Sequence, residues 1–365
     1  MTITADPGTE ATTAGRPGLG VETLERFSEL AAADDAENRF FAETHAELVA
    51  AGHYIANMPT EIGGGGLDLA EMGRRQRLLG RYAPAPALAS CMHLYWTGAA
   101  TDLGSLGRDS LAFVLDDAAN GDIFASGHAE SGNDVAVAPS TMDAVPVEGG
   151  YRVTGRKHFG SLGPVWDHIG FHAQDSSDPE NPVVIHGFVR RTDPGVEVLE
   201  NWDTITMRAS QSYDTVFESV FVPHARVAAI EPVGSEASPV LGAFFTWALV
   251  LISNVYVGLA ERALELATEA AMQRTSIGLE GRTLSHNPML QHQVAEATMA
   301  IDSVRSQLEL LARDWVAGDV GEDWAVRLFS SKHCTSVQVR RSVDLAAEIL
   351  GGSAISNNGG IARLW

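Results

Sequence analysis

The chain has 365 residues, of which 45% are hydrophobic and 20% are charged, and these fractions are typical of a globular protein with two or three domains. Its net charge of −22 argues against nucleic acid and anionic membrane surfaces as partners, because both are negatively charged. The two cysteines, Cys91 and Cys334, form no motif, so we expect no disulfide framework and a cytoplasmic location.

The first part of the chain is predicted to be helical. Residues 1–20 lack the basic and apolar segments of a signal peptide, so we expect a disordered leader. Residues 21–121 are predicted to form an N-terminal helical domain, because apolar residues recur there at helical spacing. The helical segments are Val21–Ala51, Leu69–Leu79, Ala85–Leu103 and Leu106–Asp117.

The pattern changes at about residue 122. From there to residue 230 the chain has short β-branched and aromatic runs that are separated by Gly, Pro and Asp. These features predict a compact, antiparallel, β-barrel-like middle domain. The predicted strands are Tyr151–Val153, His168–His172, Val183–Val189, Val196–Leu199 and Thr215–Val222.

Residues 231–365 are predicted to form a C-terminal helical bundle, since three helical patterns there are much longer than the average helix. The predicted helices are Leu241–Arg274, Pro288–Ala317 and Asp323–Leu350. The first contains an apolar run, Val240–Val257, which polar residues interrupt, so we interpret it as a buried bundle helix and not as a membrane span. The predicted fold class is therefore mainly α with a central β domain.

Three segments are candidates for a ligand site. Ser126–Asp134 is small and polar, and Gly155–Ser161 places basic, aromatic and hydroxyl groups after a strand. Ile349–Gly352 follows a long helix. Each also has an ordinary structural interpretation: a polar turn, a hairpin with a buried Phe159, and a helix cap, respectively. The 12 histidines show no metal-binding spacing, so no metal site is predicted.

In their order along the chain, these segments resemble the motifs of the acyl-CoA dehydrogenase family. The resemblance implies an N-terminal helical domain, a central β domain and a C-terminal four-helix bundle, in a homotetramer or dimer. The similar segments are Met58–Gly66, Phe124–Asp134, Gly155–Gly163, Met207–Ser210 with Phe217–Pro223, Gly258–Gly278, Gln291–Gln293 and Glu348–Gly352.

The resemblance also implies an FAD cofactor whose adenine end meets a neighbouring subunit. The residues at matching positions that would contact the flavin are Phe124, Ser126, Gly127, Gly132, Asn133, Phe159 and Ser161. Those that would hold the adenosine diphosphate part are Arg274, Ile277, Gln293, Glu348 and Gly352.

The catalytic part of the family pattern is poorly matched. Family dehydrogenases use a Glu to remove the α-proton of an acyl-CoA while the β-hydride goes to flavin N5. At one of the two family positions for that Glu the chain has Ala248, and the other position lies past Trp365. Thr246 and Leu249 replace the Asp and Arg that serve the CoA substrate. No catalytic base is assigned.

Three functions are compatible with well-matched flavin motifs and poorly matched catalytic positions. The first is an acyl-CoA dehydrogenase whose Glu lies beyond Trp365 and which passes electrons to an electron-transfer flavoprotein. The second is a monooxygenase that takes reduced flavin from a reductase, acts on an aromatic or heteroatom substrate and uses His128 in proton transfer. The third is a catalytically inactive FAD-binding homologue.

Overall fold

Helices enclose a central sheet in the computed structural model, which describes residues 19–132, 139–234, 238–356, 361 and 364. This order confirms the predicted fold class. The first helices are α1 (Val21–Ala36), α2 (Ala42–Ala50), α3 (Leu69–Tyr82), α4 (Pro84–Ser105) and α5 (Ala112–Ala119). The strands are β1 (Phe124–Gly127), β2 (Asp143–Val147), β3 (Gly150–Gly160), β4 (His168–Asp175), β5 (Val183–Arg190), β6 (Val196–Leu199), β7 (Tyr213–Pro223) and β8 (Val227–Pro232). The last helices are α6 (Pro239–Gln273), α7 (Pro288–Val316) and α8 (Trp324–Leu350).

The predicted continuous helix Val21–Ala51 is wrong, because α1 and α2 are separated by a turn. Asn38 lies in this turn with φ +51°, a left-handed conformation that Asn tolerates better than most residues. The Gln211 side-chain amide donates a hydrogen bond of 3.0 Å to the Asn38 carbonyl oxygen. A residue distant in sequence therefore stabilises the break, and helical periodicity alone does not reveal it.

The sheet is mixed, so the expectation of a wholly antiparallel sheet is wrong. Its eight strands follow the order β6-β7-β3-β2-β4-β5-β8, with β1 paired to β4. β1 is parallel to β4, and β2 meets β4 in parallel at Asp143 and Gln174, while the other pairs are antiparallel. The chain forms the β2–β3 hairpin before it returns to β4 next to β1, which allows these two strands to run in the same direction. Closure into a barrel remains a prediction.

Helix α6 is the centre of the helical part of the protein. It is long and apolar enough to cross a membrane by length and composition, but 72% of its most apolar window is buried inside the protein. Gly258 allows close packing against α3, since a Cβ there would lie 2.0 Å from the Arg77 carbonyl oxygen. The helix is therefore a core helix, as the polar residues in its sequence predict.

The sheet packs against α4 through one close contact. A Cβ on Gly170 of β4 would lie 2.6 Å from the ring of Trp96 on α4, so only glycine allows this approach. Trp96 also contacts the ring of Phe188 on β5, with the centroids 4.7 Å apart. This contact places one face of the sheet directly beneath the helices.

Candidate functional site

The flavin loop, defined here as Phe124–Gly132, is held tightly against the sheet. The Phe124 ring stacks on His168 at 4.8 Å with an interplanar angle of 13°. A Cβ on Gly127 would lie 3.0 Å from both Ile169 Cδ1 and Lys157 Cβ, which is tighter than ordinary contact. The start of the loop is thus fixed by its packing against β3 and β4.

The prediction that the segment Gly155–Ser161 follows a strand is wrong, because most of it belongs to strand β3 itself. The alternative of a buried Phe159 is also wrong, since this side chain is 58% exposed. Its ring meets Trp202 edge to face at 5.8 Å and 88°. An exposed aromatic ring beside a second aromatic residue provides a flat apolar surface for a planar ligand.

Backbone strain is concentrated next to this exposed ring. Phe159 and Leu162 have φ values of +61° and +63°, and Met207 and Gln211 on the facing segment have values of +51° and +43°. The Leu162 amide donates a hydrogen bond of 3.3 Å to the Ser210 carbonyl oxygen. Left-handed non-glycine residues cost of order 1–3 kcal/mol each and cluster at functional sites. This surface is therefore the strongest site signal in the backbone.

A short chain of hydroxyl groups lies beneath the strained backbone. Ser161 Oγ is 2.7 Å from Ser212 Oγ, which is 2.8 Å from Ser210 Oγ. All three side chains are buried. Because a hydroxyl both donates and accepts, the chain can reorient when a ligand forms a hydrogen bond with Ser161.

A buried ion pair joins the flavin loop to β3. The ammonium of Lys157 contacts the carboxylate of Glu130, and neither side chain has more than 1% of its surface exposed. Glu130 also accepts hydrogen bonds of 2.5 Å from Ser140 Oγ and 2.9 Å from the Thr141 amide. Burial lowers the pKa of Lys157 to about 8, although its contact with Glu130 acts in the opposite direction.

Three histidine rings stack in a row beside this ion pair. His172 lies parallel to His128 at 5.4 Å and 6°, and to His186 at 6.1 Å and 17°. Lys157 Nζ is 3.1 Å from His172 Nδ1. His128 Nδ1 lies 2.7 Å from Ser126 Oγ. The row therefore runs from the ion pair to the flavin loop.

The histidines of this row are uncharged at neutral pH. Burial lowers the pKa of His128 well below its usual value, and the positive charge of Lys157 acts in the same direction. Burial and Lys157 lower the pKa of His186 to about 4. A neutral imidazole has one N–H donor and one acceptor nitrogen, so each ring of the row can donate one hydrogen bond and accept another.

Aromatic side chains from the helices cover His128. Its ring lies 4.9 Å from Phe244 on α6 and 5.8 Å from Trp96 on α4. Tyr95 on α4 contacts Phe244 at 5.0 Å. His128 is thus enclosed between the flavin loop and an apolar helical surface.

The residues predicted to hold the adenosine diphosphate part of FAD lie near the end of α6, the start of α7 and the end of α8. Arg274 Nη1 donates hydrogen bonds to the Leu350 carbonyl oxygen at 2.8 Å and to Ser353 Oγ at 3.3 Å. Gln293 Nε2 donates to Glu348 Oε2 at 2.7 Å. The structure thus brings Arg274 to the end of α8, and pairs Gln293 with Glu348, at one end of the bundle.

Three other predicted residues make fewer contacts. Ile277 is 99% exposed, and Gly352 is exposed beyond the end of α8. Gly132 has φ +72° and open space around its Cα, as a loop that approaches a ligand closely requires. Asn133 lies outside the described residues, so its predicted contact is not assessed.

Tryptophans fill the region where the resemblance expects CoA-binding residues. Thr246 is fully buried, and its Oγ1 accepts a hydrogen bond of 3.0 Å from Trp324 Nε1. Asp102 Oδ2 accepts hydrogen bonds of 2.6 Å from the ring nitrogens of both Trp247 and Trp315. We call Asp102 and these three tryptophans the tryptophan plug.

One described group of side chains has the composition of a metal site. Oxygen atoms of Asp117 and Asp122 and a nitrogen of His168 lie within 4.8 Å of one another. The Arg226 guanidinium contacts the Asp117 carboxylate, which already supplies a positive charge there. We therefore assign no ion to this group.

The role of Lys157 and Glu130 was missed in the sequence, although both lie in segments that the sequence analysis quoted. Neither residue had a clear signal in the sequence, because Lys157 stands between an arginine and a histidine and Glu130 lies in a polar segment. Trp202 and Trp96 gave no signal, since a lone tryptophan in a sequence is most often a core residue.

Comparison with known proteins identifies relatives across most of the chain. Residues 250–365 match the family model described as acyl-CoA dehydrogenase, C-terminal domain. The putative acyl-CoA dehydrogenase YdbM of Bacillus subtilis is 26% identical over 343 residues, which cover 93% of this chain and 87% of that protein. The L-evernosamine nitrososynthase of a Micromonospora species is 28% identical over 278 residues, which cover 73% of this chain and 63% of that protein.

Among solved structures, KijD3 in complex with FMN and a dTDP-amino-keto sugar superimposes with a TM-score of 0.78 at 25% identity. The match covers 93% of this chain and 84% of KijD3. The family motifs, the arrangement of helices around a mixed sheet and these relatives agree. The resemblance to the acyl-CoA dehydrogenase superfamily of flavoenzymes is thus confirmed, and the similar proteins include some named as dehydrogenases and some named as nitrososynthases.

Proposed function

We propose that the protein is a flavin-dependent monooxygenase that acts on a small substrate without a CoA group. The observation that carries this proposal is the tryptophan plug. Thr246 replaces the family Asp that serves CoA, and Trp324 covers it completely. Ala248 replaces one position of the family base and is itself buried. A CoA thioester therefore lacks both its polar contacts and its entrance at this helix.

The carboxylates described near the flavin loop are also unsuited to act as the α-proton base. Glu130 is held by Lys157, and Asp214 accepts hydrogen bonds from Arg156 at 2.9 Å. Burial of Asp214 opposes its ionisation, but the hydrogen bonds from Arg156, Asn201 and His158 together outweigh this effect and lower its pKa. A carboxylate paired with a cation is a weak base, so neither residue replaces the family Glu.

The residues around Phe159 fit a flavin ring system. Phe159 presents an exposed ring, and Ser161 offers a hydroxyl that is supported by Ser212. A bound reduced flavin would supply the electrons for the activation of O₂. In this proposal Phe159 supports the flat ring system, Ser161 orients its polar edge, and the packed flavin loop keeps water from the reacting side.

The residues at the end of the helical bundle favour FAD over FMN as the flavin. Arg274 has a geometry that suits pyrophosphate, because a guanidinium can bind two phosphate oxygens at once. Its Nη1 is used by Leu350 and Ser353, which fixes the direction of the side chain. We propose FAD, whose diphosphate meets Arg274 from a neighbouring subunit of a homo-oligomer, although the related KijD3 structure contains FMN.

Dehydrogenation of an acyl-CoA is the second candidate. It is favoured by the relative named as a putative acyl-CoA dehydrogenase, which matches over 93% of this chain. It requires that the plug open and that a carboxylate reach the flavin from outside the described residues. The relative named as a nitrososynthase favours oxygenation, since a nitroso product carries oxygen on nitrogen.

The experiment that tests the proposal measures flavin affinity in two redox states. A monooxygenase that receives flavin from a reductase should bind reduced FAD or FMN at least tenfold more tightly than the oxidised form under anaerobic conditions. A dehydrogenase retains oxidised flavin through purification. Tighter binding of the oxidised form would refute the proposal, and the absence of binding in either state would refute the flavin site itself.

A further inference from the structure

Two buried polar atoms beside the flavin loop have no hydrogen-bond partner among the described residues. One is Nε2 of His128, and the other is Nε1 of Trp96. Trp96 is buried and His128 is half-buried, both atoms are shielded from solvent, and the two rings are neighbours at 5.8 Å. A buried polar atom without a partner is destabilising, so two such atoms on neighbouring rings need an explanation.

The two atoms are complementary in chemistry. The indole nitrogen of Trp96 can only donate a hydrogen bond. His128 is neutral, and its Nε2 is the acceptor whenever Nδ1 carries the hydrogen and donates it to Ser126 Oγ, 2.7 Å away. A ligand that satisfies both atoms must therefore accept from one and donate to the other. A hydroxyl group does both with a single oxygen.

The surroundings select against a charged partner. Lys157 and two further imidazoles lie on the sheet side of His128, and Lys157 repels ammonium groups. On the helix side, Phe244 contacts His128 and Tyr95 contacts Phe244. Glu130 is neutralised by Lys157. The local environment is aromatic and favours an uncharged ligand.

We propose that Trp96 and His128 form a recognition site for the hydroxyl group of an uncharged aromatic substrate, such as a phenol. Trp96 Nε1 donates to the hydroxyl oxygen, and the hydroxyl hydrogen is donated to His128 Nε2. Phe244 covers the helix side of this site, and Tyr95 packs against Phe244. The inference rests on the proposed monooxygenase function and names the substrate class of that site.

The test uses three ligands of nearly equal shape: phenol, anisole and toluene. Phenol can satisfy both atoms, anisole can accept only from Trp96, and toluene can satisfy neither. Titration calorimetry on the purified protein should give an affinity for phenol about fivefold higher than for anisole, and anisole should bind about fivefold more tightly than toluene. One neutral hydrogen bond to a buried partner is worth about 1 kcal/mol, which is roughly a fivefold change.

Two variants assign the two hydrogen bonds. His128→Leu should reduce the affinity for phenol to that for anisole and leave anisole binding unchanged. Trp96→Phe should weaken phenol and anisole equally and leave toluene binding unchanged. His292→Leu and Trp315→Phe make the same chemical changes away from the site, at an exposed residue of α7 and in the tryptophan plug. They should preserve the order of the three ligands.

Equal affinity of the wild-type protein for all three ligands, or no binding of any, would overturn the inference and leave buried water as the partner of both atoms. An unchanged phenol preference in His128→Leu would overturn the role of that residue. The calorimetry needs no flavin, so the two proposals fail separately. Phenol selectivity without flavin binding would refute the monooxygenase function alone, and flavin binding without selectivity would refute this inference alone.

Discussion

The flavin side and the CoA side of the same fold differ in how they treat polar groups. On the flavin side, the structure retains a buried ion pair, three stacked histidines, strained backbone and an exposed Phe159. On the CoA side, polar family positions have become Thr246 and Leu249, and the tryptophan plug fills the space. The proposed function explains both features, because it needs a flavin site on one side and no CoA site on the other.

The largest expected effect comes from breaking the ion pair between Lys157 and Glu130 beneath the flavin loop. Lys157→Met leaves Glu130 as a buried charge without a cation, which costs about 3–5 kcal/mol of unfolding free energy. Urea denaturation followed by circular dichroism measures it. Arg26→Met breaks an exposed pair with Glu47 and should move the midpoint little. Equal loss in both variants would mean that the buried pair is no more important than a surface pair.

The next prediction tests how tightly the plug is packed. A Cβ on Gly98 would lie 2.3 Å from the Trp247 ring, so Gly98→Ala should destabilise the protein by about 1–3 kcal/mol. Gly104 lies on the same helix with open space around it, and Gly104→Ala should gain up to about 1 kcal/mol. Thermal unfolding of the two variants measures both effects. Tolerance of Gly98→Ala would show that the plug can yield to a ligand.

The pH dependence of stability should come largely from the histidine row. The pKa of His186 is lowered to about 4, so between pH 6.5 and 4 the unfolded chain binds a proton that the folded chain does not. Stability therefore falls as the pH falls through this window. His186→Leu should lose about 2 kcal/mol less than the wild type between pH 7.5 and 5.0. Urea midpoints at the two pH values measure the difference, and an identical loss would contradict the buried neutral state.

The smallest effect concerns the exposed aromatic surface. Phe159→Ala should weaken flavin binding by about 0.5–1.5 kcal/mol, which is a factor of roughly two to twelve. Stability should not fall, because the side chain is exposed and alanine bears the same left-handed strain at φ +61° as phenylalanine does. Flavin fluorescence titration and thermal unfolding measure the two quantities. Lost stability with unchanged flavin affinity would place the flavin elsewhere.

Local patterns in the sequence predicted the helices and several strands well. The segments around α3, α4 and α6 to α8 agree with the structure within a few residues, because a buried helix face has a strong period. The parallel pairing of β1 with β4 could not be predicted, since register depends on contacts between residues distant in sequence. The break at Asn38 depends in the same way on Gln211.

The candidate site was only partly visible in the sequence. The resemblance led to the flavin loop and to Phe159, whose exposure and strain agree with a ligand-binding role that remains proposed. The partnerless atoms of Trp96 and His128 could not be predicted, because a missing hydrogen bond is a property of three-dimensional packing. The tryptophan plug likewise joins four elements of the chain that no local motif connects.

An anaerobic titration of the flavin-loaded protein with a panel of acyl-CoA thioesters is the sharpest test of a bound flavin beside a closed CoA site. We expect the long-wavelength absorbance of the oxidised flavin to persist with every thioester, and the same protein to consume O₂ when a reductase supplies reduced flavin. Bleaching of that band by any acyl-CoA would refute the monooxygenase proposal and establish the dehydrogenase.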